Sequence, residues 1–287
     1  MKTSRTGLSH HPGTPDFLAR AYGVSFERSV AGMPLYRDKT GKRFWGGWGS
    51  FYTVCVGDDP ASLECEADSL GREHGLVAGC FSLPKDVFGA RHVHVMLTVP
   101  EGATEESRMQ LYSKAARNQT KRAREAPLTL SVERGVITRE WYDLYTQTMR
   151  RLGSDVKDVS YFQALEECFT DSLHCVLARD GGKLVGSTVY VRHGDYVHLL
   201  SNVSETSHWH FRVNNLVYDE MIRLSIGGGV RFIDFGLTGA RDKALLSFKK
   251  DFGGDVWYIT TRTFGSVGAR FLDVATRFHR ALRRLFS

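Results

Sequence analysis

The chain has 287 residues, 42% of them hydrophobic and 24% charged, enough for one large domain or two of ordinary size and too apolar for a disordered protein. A formal net charge of +6 suits an anionic partner without demanding one, and no stretch of about 18 apolar residues is present to span a membrane. The N-terminal segment MKTSRTGLSHHPGTP has no apolar core of a secretory signal. The five cysteines (Cys55, Cys65, Cys80, Cys168 and Cys175) make no CxxC pair and no metal spacing, so the expectation is reduced thiols in a cytosolic protein.

In chain order, residues 1–15 are polar and Asp16–Ala21 reads as a short helix. From Pro34 the pattern is β-rich, with a turn at Asp38–Gly41 and aromatics around a glycine cluster. Ala61–His74 reads as a helix with Leu63, Ala67 and Leu70 on one face; Leu76–Ser82 and His92–Val99 read as strands. Glu105–Ala126 has no internal Pro or Gly and predicts one long helix, stopped by Pro127. Strand Leu128–Glu133 follows, then helices Arg139–Arg151 and Val159–Phe169. Strands Leu173–Arg179 and Lys183–Arg192 flank the turn Asp180–Gly182, a hairpin signal. Strand Tyr196–Ser201, helix Val213–Ile226 with its glycine stop, strand Val230–Phe235, helix Lys243–Phe252 and strand Val256–Thr261 complete the body. The order of elements recurs in the two halves, which predicts an α/β (α+β) protein of two lobes.

The positive charge is uneven. Arg108–Glu125 holds six basic residues and one acid, and Ala269–Ser287 holds five arginines and one acid, so the rest is slightly acidic. Lys114, Arg117, Lys121 and Arg124 recur at steps of three and four, which aligns them on one helix face as a candidate phosphate track. A merely solvated face fits the same spacing. In the C-terminal helix Phe271, Val274, Phe278, Leu282 and Leu285 form an apolar seam among arginines. That seam suits docking on the body, or contact with an anionic membrane or nucleic acid.

The stretch Arg231–Gly254 (RFIDFGLTGARDKALLSFKKDFGG) holds the densest candidate chemistry. Phe232, Asp234 and Gly236 share one strand face, with Ile233 and Phe235 on the other. Asp234 thus leaves a sheet at its carboxyl end, where α/β ligand crevices form, and Gly236 permits close approach of backbone or ligand. An aspartate that only ties down the next loop is the competing reading. Lys249, after Phe248 on a short helix, is either solvated or a point charge for a phosphate or an oxyanion. His92 and His94 sit on one strand face without a third ligand, which argues against a metal. His208 and His210 flank Trp209 in a loop.

Phe232–Gly236 (FIDFG) and Phe248–Gly254 (FKKDFGG), preceded by Asn214–Arg231 (NNLVYDEMIRLSIGGGVR), resemble the C-terminal half of FemABX-type aminoacyltransferases. Thr148–Phe169 (TMRRLGSDVKDVSYFQALEECF) resembles the family's segment two elements earlier. The likeness covers Trp141–Tyr258 and extends weakly to the basic helix Ser113–Ala126; residues 1–107 carry no matching motif. It implies two tandem GNAT-like lobes, each a mixed, mostly antiparallel sheet flanked by helices. It also implies transfer of an amino acid from aminoacyl-tRNA to a free amine, on a peptidoglycan precursor or a peptide antibiotic. On the same basis Lys249 meets the aminoacyl end and the developing oxyanion, and Arg151, Asn215, Tyr218 and Phe248 are substrate contacts. Lys250 joins the basic residues facing tRNA.

The expected organisation is an acceptor-side lobe over 1–107, a basic linking helix over 108–126 and a C-terminal lobe with a terminal helix over 127–287. The expected catalytic pair is Lys249 and Asp234, with Gly236 beside them. No metal and no resident cofactor is expected, since aminoacyl-tRNA is a co-substrate; an aminoacyl ester is already activated, so no nucleophilic Ser or Cys is required. A cytoplasmic monomer with peripheral membrane contact through its last helix completes the reading. Two other readings stay open: an acyl-CoA-dependent N-acyltransferase on the same fold, and a non-catalytic RNA-binding module.

Overall fold

Strand and helix signals resolve into fourteen strands and seven α-helices among the residues that the structure, a computed structural model, describes: 4–135 and 137–265. The first half contains β1 (Ser4–Thr6), α1 (Thr14–Tyr22), β2 (Ser25–Val30), β3 (Met33–Arg37), β4 (Arg43–Trp45) and β5 (Gly47–Trp48). It continues with β6 (Phe51–Val56), α2 (Pro60–His74), β7 (Leu76–Leu83) and β8 (His92–Thr98). After α3 (Lys114–Glu125) come β9 (Thr129–Arg134), α4 (Arg139–Arg151), α5 (Val159–Phe169), β10 (Leu173–Asp180) and β11 (Lys183–His193). The last described elements are β12 (Tyr196–Ser204), α6 (Val213–Gly227), β13 (Phe232–Gly239), α7 (Lys243–Lys250) and β14 (Asp255–Gly265). The C-terminal helix and its apolar seam lie outside the described residues, as does any membrane contact through it.

One mostly antiparallel sheet runs through both halves in the order β2-β3-β4-β7-β14-β8-β13-β12-β11-β10-β9. Each half holds a strand–helix–strand unit whose strands pair in parallel, β6–α2–β7 and β12–α6–β13, the connection a parallel pair needs. β14 returns from the end of the second half and inserts between β7 and β8, antiparallel to both. On its other side β8 pairs with β13. The seam between the halves is therefore built by two strands that each sit beside the other half's parallel pair.

Helix ends follow local capping. Thr138 Oγ1 accepts from Trp141 N–H at 3.2 Å and Asp158 Oδ1 from Tyr161 N–H at 3.0 Å, which fixes the starts of α4 and α5 where the sequence places them. Trp141, Leu144, Tyr145 and Thr148 then fall on one buried face of α4. Trp141, Leu144 and Tyr145 pack with Phe162 and Leu165 of α5 and with Phe17 and Leu18 of α1. On the opposite face of the sheet, α6 buries Leu216, Val217, Met221 and Ile222.

The long helix expected over Glu105–Ala126 is instead a 3₁₀ turn at Ser107–Gln110 followed by α3. The break is a docking point. Ser113 caps α3 through Ala116 N–H (3.1 Å) while its own N–H donates to Asp251 O (2.8 Å). Leu111 O crowds Gly253 so closely that a Cβ there would come within 2.4 Å. The chain leaves the helical path to meet the loop that follows α7.

Arg124 does not belong to an open basic stripe. It bonds Asp219 (2.8 Å from Nε) and Glu220 (2.7 Å) of α6, and Asp219 also accepts from Arg108 Nε (2.7 Å) and Tyr112 Oη (2.8 Å). Burial pushes both carboxyls up, and the arginines outweigh it, so both stay below their ordinary values. Asp219→Ala would leave two guanidinium groups short of a buried partner. It is expected to lower the unfolding free energy by about 3–5 kcal/mol in denaturant titration; a change below about 1 kcal/mol would contradict this role.

Candidate active site

The site begins where a parallel pair stops pairing. β12 and β13 are in register over Tyr196–His198 and Phe232–Asp234 and no further. Gly236 then takes a left-handed conformation (φ +73°), and a Cβ there would lie 2.4 Å from Leu199 O, so only glycine fits this turn. The register of β13 against β8 also shifts between Asp234 and Leu237, as at a β-bulge. The parting strands open a cleft of about 840 Å³. Leu199, Phe235 and Gly236 lie along its base; Tyr145, Met149 and Phe162 come from α4 and α5, and Phe248 and Lys249 from α7. Ser50 and Phe51 bring the first half to its wall.

α7 is eight residues long, capped by Asp242 Oδ1 accepting from Leu245 N–H (3.0 Å). Lys249 is its one buried residue, 3% exposed. Lys249 Nζ donates to Gly236 O (2.9 Å) and Thr238 Oγ1 (2.7 Å), with Leu237 O farther away at 3.5 Å. The strand exit and the lysine thus frame one centre. Two short bonds hold the ammonium, and its third proton is weakly held beside the cleft. Burial brings the lysine down to about 8, an effect that nearby Asp234 and Asp242 offset only in part.

Asp234, the expected partner of Lys249 in the catalytic pair, is 0% exposed and does not line the cleft. Both oxygens are occupied. Oδ2 accepts from Tyr52 Oη (2.8 Å) and from Tyr196 Oη, and faces His198 Nδ1 at 3.2 Å. Oδ1 accepts from Gly236 N–H (2.8 Å) and lies 2.9 Å from His94 Nδ1. Burial would raise this carboxyl, but His94 and His198 beside it hold it well below the ordinary range, so it is ionised. His94 Nε2 lies 2.6 Å from Ser82 Oγ, the spacing of a nucleophile, base and orienting acid. Ser82, His94 and Asp234 are all sealed from solvent, so that hydroxyl cannot serve as a nucleophile.

Of the other expected residues, Arg151, Tyr218, Gly236 and Phe248 line the cleft. Arg151 stacks 4.8 Å over Trp209, whose Nε1 donates to Ser204 Oγ (3.0 Å), at the rim. Asn215 does not line it; its neighbour Asn214 does, with a buried Oδ1 that has no partner among the described residues. A one-residue change of helix phase, about 100°, separates the two. Lys114, Lys121 and Lys250 are exposed and Arg117 is half-buried. His92 lines a separate cavity and His94 is buried, so the two do not converge. Among the described residues no group of three metal-ligating side chains comes together, and no helix is long and apolar enough to cross a membrane. Sequence reasoning missed His198, Tyr52 and Tyr196, each hidden in an ordinary apolar strand run.

A family profile described as an acetyltransferase (GNAT) domain matches residues 112–244, from α3 to the start of α7. The fold is similar to that of FemX, with a TM-score of 0.60 at 13% identity over 91% of this chain and 98% of that one. It is also similar to the C-terminal (DUF2156) domain of a putative lysylphosphatidylglycerol synthetase from Agrobacterium fabrum, with a TM-score of 0.59 at 11% identity over 93% and 92%. A third likeness, to L-PGS from Bacillus licheniformis, has a TM-score of 0.54 at 12% identity over 94% and 91%. A search of curated proteins finds no match in sequence. At these identities the likeness establishes the fold: a GNAT-like α/β protein, as the resemblance implied.

The folded protein releases the Lys249 proton near pH 8, whereas an unfolded lysine keeps it to about 10.5. Between these values the unfolded state binds more protons, so stability from this group rises with pH. Wild type is expected to gain up to about 3 kcal/mol relative to Lys249→Met across that window, read by denaturant titration at several pH values. Parallel curves for the two proteins would contradict a charged, buried Lys249.

Proposed function

We propose that the chain is an acyltransferase that moves an amino acid from aminoacyl-tRNA to a free amine of a peptide acceptor, at the cleft between β12 and β13. The carrying observation is the buried Lys249 ammonium, fixed at the strand parting by Gly236 O and Thr238 Oγ1, with only a long third contact (Leu237 O, 3.5 Å), in the lining of the cleft. Attack of an amine on an ester forms a tetrahedral oxyanion. A cation already in place there, in a site of low dielectric, favours the transition state without reorganising. The GNAT-domain match and the FemX-like fold agree with acyl transfer in general.

The tRNA donor is the finer step, and surface charge supports it. Lys114, Arg117 and Lys121 follow one face of α3, with Lys250 of α7 also exposed. α3 is tied to the loop after α7 through Ser113 and Asp251, so phosphate contacts on α3 and the acyl end at Lys249 share a rigid frame. The rim carries Asp155 and Asp242 as well as Arg151 and Lys157, a mixed charge that suits an aminoacyl group with its own ammonium. One fold neighbour is named for a product that bears a lysyl group. The acceptor enters from the first half, and its class is a peptidoglycan precursor or a peptide antibiotic.

Incubation with charged tRNA and an amine-bearing peptide tests the donor. Product is expected to vanish when the charged tRNA is first digested with ribonuclease; product that survives would contradict a tRNA donor, and product that forms from acetyl-CoA instead selects the acyl-CoA reading. Lys249→Met is expected to lower kcat by about 10²–10³ while tRNA affinity changes less than twofold; equal losses of both would indicate a binding role only. RNA binding with no turnover from either donor would select the non-catalytic reading.

Phosphate tracking has its own test. Changing Lys114, Arg117 and Lys121 to Glu is expected to flatten the dependence of log K on log salt, by roughly 0.7–0.9 for each phosphate that the variant no longer neutralises. An unchanged slope would remove α3 from the tRNA interface.

A further inference from the structure

We infer that His198 is the base that takes the proton from the acceptor amine in the cleft, with Asp234 as its positioning residue. The inference rests on acyl transfer to an amine at this cleft and holds for either acyl donor. When the amine attacks, a C–N bond forms and the nitrogen becomes cationic. It must lose a proton before the C–O bond of the ester, or the C–S bond of a thioester donor, breaks. That proton passes to His198 and then to the departing atom, the ribose oxygen of aminoacyl-tRNA, which leaves as a hydroxyl, or the sulfur of a thioester, which leaves as a thiol. Atoms and charge balance with no oxidant and no further reactant.

The cleft offers few candidates for this task. Asp155 and Asp242 stand on the exposed rim, and Asp242 is already the cap of α7. Lys249 points its protons at Gly236, Leu237 and Thr238. Tyr145 Oη accepts from Lys157 N–H (3.1 Å). His198 differs from all of these. It is 1% exposed yet lines the cleft. Its Nδ1 faces Asp234 Oδ2 at 3.2 Å, and its Nε2 has no protein partner among the described residues.

Ionised Asp234 is an acceptor only, so it draws the imidazole proton to Nδ1 and leaves the lone pair on Nε2. When Nε2 takes a proton, the imidazolium lies against the same carboxylate. The groups facing His198 are Asp234 from β13, Tyr52 from β6 and Tyr196 from β12, with ring centroids 5.8 Å and 6.4 Å away for the two tyrosines. His94 is on the far side of the carboxylate and Lys249 lines the cleft beside it. The tyrosine hydroxyls hold Asp234 in place, so that it can orient the imidazole as the acid of a catalytic triad does.

His198→Asn tests the role, because an asparagine amide can keep the bond to Asp234 while lacking a base. Single-turnover transfer to a peptide amine is expected to fall by about 10²–10⁴-fold, with KM for the acyl donor within twofold. Hydroxylamine, whose adduct gives up its proton readily to water, is expected to restore at least a tenth of wild-type turnover. Full activity of His198→Asn, or loss without hydroxylamine rescue, would overturn the inference. Running both arms with acyl-CoA as well as aminoacyl-tRNA separates failure of the donor reading from failure of His198. Independently of turnover, ¹⁵N-histidine NMR of the wild-type protein is expected to show the neutral His198 ring as the Nδ1–H tautomer with Nε2 bare; the opposite tautomer would also overturn it.

Discussion

A single buried carboxylate organises this fold. Asp234 gathers hydroxyls from β6 and β12, imidazoles from β8 and β12 and its own backbone two residues on. A charge taken out of water is costly unless its lone pairs are all used, and here strands from both halves supply the partners. The ionised state of Asp234 therefore depends on correct docking of the halves. So does the bulge that brings Gly236 against Leu199 and starts the cleft.

Lys249 completes the arrangement from the other side. Its ammonium bonds the same strand exit, just beyond the carboxylate, and burial there weakens its hold on its proton. A structural lysine would gain by snorkelling to water. One retained at 3% exposure beside a cleft has the character of a functional group kept at some cost to stability. Carboxylate from β13, imidazole from β12 and ammonium from α7 thus meet where β12 and β13 part, with the apolar walls of α4, α5 and α7 around them.

Local signals were legible. Helices Arg139–Arg151 and Val159–Phe169 read from the sequence match α4 and α5, and the alternation around Asp234 assigns it to the face opposite Ile233 and Phe235, as found. Nonlocal ones were not. Nothing in Asp255–Gly265 says that it will pair with β7 and β8 rather than with its own half, because pairing partners are chosen by the whole sheet. The break before α3 was hidden for a similar reason: its cause is Asp251 and Gly253, far along the chain. Arg124 fits a basic stripe by spacing, and only the fold reveals Asp219 beneath it. His198 reads as one polar residue in a buried strand until Asp234 and the cleft are seen on either side of its ring.

A structure of the protein with a non-hydrolysable, amide-linked aminoacyl-adenosine tests the central claim most directly, since it reports where the acyl group goes without relying on turnover. The account predicts the acyl oxygen within hydrogen-bonding distance of Lys249 Nζ, with open space for an amine between the acyl carbon and His198 Nε2. An acyl group seated away from the parting of β12 and β13, with Lys249 still bonded only to Gly236 and Thr238, would contradict it.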